Sequence, residues 1–308
     1  MKRMSVLVAG VAAAVLGLSA CGGGGGSPLS SGSGSSGAAS SGAAITIGSA
    51  DFPENKLLAE IYAQALEAKK VTVTRKFGIG AREVYFPGLK DGSLDLVPDY
   101  TGVLLQFIDK TATQTSADDV YTALKGKVPA PLTALDKSAA EDKDAVVVTA
   151  ATAQKYGTSL DAYSSACGQL VFGGPPEFQT RPDGLPGITK TYSCTFKEFK
   201  ALDTGGPLTV KALADGTVQA ADLFTTDPTI KDKGFVELAD PKNNFAAQNV
   251  VPIINKAKAT PEVTAALNAV SAKLTTDGLT DLLRQLNAAD KPNVDTVAKG
   301  WLTQNGLV

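Results

Sequence analysis

The side chains able to do chemistry in this 308-residue chain are carboxylates, arginines, aromatic rings and three cysteines; histidine is absent. Without it there is no Ser-His-Asp triad, no Cys-His pair and no His-ligated metal site. No GxxxxGK[ST] or GxGxxG phosphate cradle stands between a strand and a helix; the long glycine run is Gly22–Gly26, and Gly173-Gly174-Pro175-Pro176 reads as a tight turn after a strand. The formal charge of −2 comes with no basic block interleaved with aromatics, so nucleic acid is not an expected partner. What remains is carboxylate acid–base chemistry, or recognition without reaction. Recognition is the expectation here, with no metal and no cofactor.

The cysteines divide by position. Lys2 and Arg3 precede an apolar stretch from Val6 to Leu18, and Leu18-Ser19-Ala20-Cys21 closes it with small residues. The stretch is too short for a spanning helix and reads as an export signal over 1–21. Ending on cysteine, it resembles a bacterial lipoprotein signal, which implies cleavage before Cys21 and its acylation, palmitate included. The alternatives are an ordinary signal with an incidental Cys21 and an uncleaved anchor. Residues 22–43 are nearly all Gly, Ser and Ala and read as a flexible tether, roughly 25 Å in root-mean-square span. Cys167 and Cys194 remain as an even pair in an exported chain, which favours a disulfide over two separately buried thiols.

The elements that must position these groups fall into two sets. Ile45–Ser49 alternates as a strand; Asp51 and Glu54 have capping-box spacing around Pro53; Leu57, Leu58, Ile61, Tyr62, Ala65 and Leu66 repeat at helical intervals. Val71–Phe77 reads as a strand, 82–90 as a helix ended by Asp91-Gly92, 94–98 as a strand and 100–108 as a helix. The second set comprises strands near 145–149, 169–172 and 218–224, with helices beginning near Ile188 and Thr209. A strand at 250–255 and a helical tail from Pro261 complete the chain, with Trp301 in its core. Strands alternating with helices predict an α/β fold with covered sheets.

Five short motifs carry a resemblance: Ile47-Gly48-Ser49-Ala50-Asp51-Phe52-Pro53-Glu54-Asn55, Arg82 to Lys90, Asp99-Tyr100-Thr101-Gly102, Arg181-Pro182-Asp183-Gly184-Leu185 and Phe224-Thr225-Thr226-Asp227. In this order the chain resembles the substrate-binding lipoproteins of osmoprotectant ABC importers, the glycine betaine, choline and carnitine binders. The resemblance covers residues 44–308. It implies a class II periplasmic-binding fold, with lobe one from 44–147 and 250–308, lobe two from 148–249, and a hinge and ligand cleft between them. It also implies a monomer held at the outer face of the cell membrane by lipidated Cys21, with a small-molecule ligand and permease and ATPase subunits as partners.

In that family a quaternary ammonium sits among aromatic rings, because a methylated cation donates no hydrogen bond and π faces attract it. The resemblance places Tyr85 and Phe224 as ring candidates and Arg181 as the cleft arginine. Asp51, Phe52 and Asn55 line the opposite wall, with Arg82, Tyr100, Thr101 and Thr225 beside them. Two positions depart from the family pattern: Asp144 and Gln248 stand where tyrosines are expected, leaving about two rings. An incomplete cage keeps open a non-betaine ligand such as a polyol, sugar or polyphenol. An enzyme using two cleft acids at ~5–10 Å is the rival of another class, and these candidates are short of a second acid. A purely structural envelope lipoprotein is the third reading.

Overall fold

The computed structural model describes residues 44–308. The expectations for the export signal, for acylation of Cys21 and for the tether fall on residues 1–43, outside the described residues. Among the described residues no helix is long and apolar enough to cross a membrane.

The alternating opening forms β1 (Ile45–Gly48), and α1 (Pro53–Glu67) follows with Pro53 in its first turn, where its missing N–H costs nothing. The expected capping box is not made. Phe52 is the N-cap and offers no side-chain cap, Asp51 pairs outside with Lys56 at 2.5 Å, and Glu54 turns inward. Next come β2 (Val73–Lys76), α2 (Arg82–Asp91), β3 (Leu96–Tyr100), α3 (Thr101–Ile108), α4 (Ala117–Lys127) and β4 (Leu132–Ala134). The second run is β5 (Asp144–Thr149), α5 (Ala150–Tyr156), β6 (Val171–Gly174), α6 (Leu185–Tyr192), β7 (Glu198–Ala201), α7 (Pro207–Ala214), β8 (Ala220–Phe224), α8 (Pro228–Asp232) and β9 (Phe235–Glu237). The chain returns in β10 (Val250–Asn255) and ends in α9 (Pro261–Lys273), α10 (Thr276–Leu286) and α11 (Val294–Gln304).

These strands make two five-stranded sheets, ordered β2-β1-β3-β10-β4 and β7-β6-β8-β5-β9. In each, three strands run parallel and the fourth in order is antiparallel to its neighbours: β10 pairs Val250 with Tyr100, and β5 pairs Asp144 with Phe224. The apolar side chains of these two strands alternate between layers. Val146 and Val148 face one core and Ala145 and Val147 the other, while Val250 and Ile254 oppose Val251 and Ile253. Each sheet is therefore covered on both faces, which is why its central strands read as continuous apolar runs. Trp301 lies in the core over the first sheet, and Cys167 and Cys194, Cα atoms 5.4 Å apart, are bonded inside a core of the second.

The chain passes between the sheets twice, before β5 and after β9, and the two passages run side by side. Ser138 N–H donates to Val250 O at 2.8 Å, Val250 N–H to Ala140 O at 3.0 Å, and Asp142 N–H to Gln248 O at 3.1 Å. All of β5 pairs in the second sheet, so that sheet starts at Asp144; a boundary at 147/148 would cut a continuous ladder.

Candidate functional site

In open α/β sheets, ligands lie beyond the carboxyl ends of the parallel strands. Here those ends from both sheets converge on one cavity of about 60 Å³, room for roughly four to six water-sized groups. After β1 come Ala50, Asp51, Phe52 and Asn55, and at the end of β3 comes Tyr100. From the second sheet come Glu177 and Arg181 after β6, Thr204 after β7 and Phe224 at the end of β8. The two antiparallel strands contribute from their starts, with Asp142 and Asp144 at β5 and Gln248 before β10; α2 adds Arg82 and Tyr85.

Ten of the twelve residues expected to meet a ligand therefore line this cavity, and two do not. Thr101 is buried beneath it: its hydroxyl donates to Ala247 O at 3.1 Å and accepts from Asn249 N–H at 3.0 Å, tying α3 to the returning passage. Thr225 accepts from Lys143 N–H at 2.9 Å and holds the outgoing passage. Both hydroxyls are engaged by backbone, which corrects their assignment to the ligand wall.

The ring count also changes. Phe52, Tyr85, Tyr100 and Phe224 all line the space, four rings where about two were expected. Phe52 stacks on Phe224 at 5.2 Å between centroids and on Tyr100 at 6.1 Å. The extra rings are Phe52 and Tyr100, which belong to motifs already recognised but occupy no tyrosine position of the expected box.

Charged groups flank the rings in matched pairs. Arg82 donates to Asp99 through Nη2 at 2.6 Å and Nε at 3.1 Å, and Tyr85 O–H donates to the same carboxylate at 2.7 Å. Burial opposes the Arg82 charge, but the Asp99 carboxylate outweighs it and lifts the guanidinium above its ordinary value. Burial also pushes the phenols of Tyr85 and Tyr100 well above their usual range, so both stay neutral donors. Arg181 reaches across to Glu83 of α2 with two bonds, 3.2 and 3.1 Å, and lies 3.8 Å from Glu177. Asp144 is buried and accepts from the Gln248 amide at 3.0 Å. The two residues that replace expected tyrosines thus bond to each other. Behind them, burial and the Asp144 charge raise Asp183 to about 6, and burial with the Asp144 and Asp183 charges holds Asp222 well above the carboxylate range.

Sequence reasoning missed Asp142, Glu177 and Thr204 as lining residues, and Glu54 and Asp99 as their supports. Glu141-Asp142-Lys143-Asp144 carries no apolar alternation that could have shown the first of these; only in the fold are Asp142 and Asp144 buried while Glu141 and Lys143 are half-buried. The cavity accordingly holds several acids, so a shortage of carboxylates does not argue against catalysis. Among the described residues, no group of three His, Cys, Asp or Glu is arranged to hold a metal ion.

A cavity walled by the strand ends of two α/β sheets, joined by paired passages, is the architecture of a periplasmic binding protein. Residues 43–304 match the family model described as the substrate binding domain of ABC-type glycine betaine transport system. The chain belongs to this family, which is one of substrate-binding transport proteins and not of enzymes. It is 27% identical to the glycine betaine-binding protein YehZ of Escherichia coli (strain K12) over 281 residues, covering 85% of this chain and 90% of that one. It is 26% identical over 261 residues to the ergothioneine transport permease/ergothioneine binding protein EgtU of Helicobacter pylori (strain G27); the match takes 82% of this chain but only 46% of that relative's length. Among solved structures, a glycine betaine/carnitine/choline ABC transporter protein superposes with a TM-score of 0.67 at 20% identity, over 85% of this chain and 99% of the other, a likeness of fold.

Proposed function

We propose that this chain is the extracytoplasmic solute-binding component of an ABC importer, tethered to the membrane through acylated Cys21, and that it captures a quaternary ammonium osmoprotectant of the glycine betaine or choline type. The observation that carries the ligand class is the Phe52–Phe224 stack, one ring from each half, with Tyr100 beside it. When the halves part, Phe224 loses its ring partner and Phe52 keeps only Tyr100. A methylated cation entering between them restores an attractive contact to both, at about 0.5–2 kcal/mol per ring. Asp144, anchored by Gln248, supplies a fixed negative charge near the cation. Arg82 and Arg181 already hold protein carboxylates through Nε and Nη2, and each retains Nη1 for a ligand carboxylate.

The ligand touches both halves only when they are together, so it favours the closed arrangement by its differential affinity. The paired passages between the sheets serve as the hinge, and the closed form is what the permease and ATPase subunits receive. The named relatives support the transport role, and their different ligands mark the point on which this chain must be tested.

A non-betaine ligand is the second reading. Asp142, Glu177, Thr204 and Gln248 add more hydrogen-bonding groups than a trimethylammonium needs, and a space of about 420 Å³ lies beyond Phe52 and Phe224. Both features suit a larger, hydroxylated or ring-bearing solute. Calorimetric titration with choline, glycine betaine, carnitine, ergothioneine, a polyol and a polyphenol separates the readings. The first reading expects a quaternary ammonium compound to bind in the micromolar range, about −8 kcal/mol. Binding of the polyol or polyphenol alone would replace it with the second.

A further inference from the structure

We propose that the two halves close over a single proton, shared by Glu54 of the first half and Asp142 of the outgoing passage through the hydroxyl of Thr226 in the second half. The inference goes beyond the ligand assignment; it rests on the hinge reading proposed above but not on which solute is bound.

The geometry sets a valence problem. Thr226 Oγ1 lies 2.6 Å from Glu54 Oε2 and 2.8 Å from Asp142 Oδ1. A threonine hydroxyl has one hydrogen, so it donates to one carboxylate and accepts from the other. The second short contact needs a hydrogen of its own, and a protonated carboxyl is the group that supplies it. Two further donors reach the pair: Tyr100 O–H donates to Glu54 Oε1 at 2.7 Å, and Thr226 N–H donates to Asp142 Oδ1 at 3.2 Å.

In the solute-free chain the protein itself offers the pair no positive charge, although Asp142 also lines the ligand cavity. Glu54 is 4% exposed, Asp142 1% and Thr226 0%. Facing them are Tyr100 from β3, Asn55 from α1 and Asp227 at the start of α8, none of which carries positive charge. Among the described residues neither acid forms an ion pair with lysine or arginine. Two ionised carboxylates this close in a dry site would repel strongly, so the pair holds one proton between them. Burial raises Glu54, and burial together with the Glu54 charge raises Asp142 well above the carboxylate range.

Separation of the halves withdraws Thr226 from Glu54 and lets water reach the acids, which then ionise near pH 4 in the ordinary way. At neutral pH, closing therefore takes up a proton and opening releases it. The sign follows from linkage: above the ordinary carboxyl value and below the raised one, the closing equilibrium weakens up to about tenfold per pH unit.

Small-angle X-ray scattering of the purified, solute-free chain at pH 6 and pH 9 tests this, with Glu54→Gln and Asp142→Asn alongside. An amide supplies the missing hydrogen without titrating. The expected result is a larger radius of gyration at pH 9 than at pH 6 for the wild type, and equal radii for either amide variant. A wild type that does not change, or amide variants that expand as it does, would overturn the shared proton. Either variant suffices if the other does not fold. Because no solute is added, failure here leaves the ligand assignment standing, and failure of every quaternary ammonium titration leaves this test intact.

Discussion

Phe224 carries the sharpest expectation at the scale of single residues, because it is the second half's ring in the Phe52 stack. Phe224→Ala should weaken binding of whichever quaternary ammonium compound the wild type takes by ~2–30-fold, the worth of one ring contact. Thr225→Val, whose hydroxyl serves only the Lys143 backbone, should instead lower the thermal midpoint and leave the affinity near wild type. Parallel titrations and melts of the two variants check both. Asp183 gives a pH signature of its own. Its folded value of about 6 exceeds the ordinary value, so the folded chain holds a proton that the unfolded chain releases. Stability should therefore fall as pH rises from about 4 to about 6, and Asp183→Asn should make that part of the urea-midpoint profile less steep, with Glu54, Asp142 and Asp222 keeping their own share. A profile as steep as the wild type's would show that Asp183 is not the group responsible. Motif positions were legible in the sequence, as Tyr85, Arg181 and Phe224 show. Their bonds were not, since the Arg181–Glu83 and Asp144–Gln248 partners lie 98 and 104 positions apart.

Two of the motif glycines, Gly102 and Gly184, are explained by close approach of backbones. A Cβ on Gly102, in the first turn of α3, would sit 2.6 Å from the Ala247 carbonyl oxygen of the returning passage. One on Gly184, before α6, would sit 2.0 Å from the Phe178 carbonyl oxygen. Gly102→Ala should cost about 1–3 kcal/mol by overpacking, read as a thermal midpoint lowered by ~2–10 °C. An unchanged midpoint would mean that the passage yields freely. The Cys167–Cys194 bond should matter as a unit: Cys167→Ser with Cys194→Ser should lose about 2–5 kcal/mol in chemical denaturation. Elements with a strong period were readable from sequence, among them α1, the buried strand β10 and the leucine-rich α10. Those missed were α4, which buries only Val120 and Leu124, the short helices α5 and α8, and the three-residue strands β4 and β9, too short to show any alternation. The two-sheet class followed from the order of elements. The place where the chain leaves the first sheet did not, because Asp144 looks like part of a surface charge run until its ladder with Phe224 is seen.

The whole molecule joins these scales through one arrangement: strand ends from both sheets meet on a small space, and bonds cross it on either side. Arg181–Glu83 spans one flank, and Thr226–Glu54 lies behind the rings. Such crossing bonds hold the halves together only while their partners stay charged or protonated as required, which couples solution conditions to capture. The family sets the transport role, and the cavity's rings and charges set the ligand class to be tried first. Crystals grown with the tightest binder among choline, glycine betaine, carnitine and ergothioneine would show whether a solute is gripped by both sheets at once. Solute density is expected between Phe52 and Phe224, within reach of Asp144, with contacts from residues of both sheets. Density seated outside this space, or touching one sheet alone, would contradict such a grip.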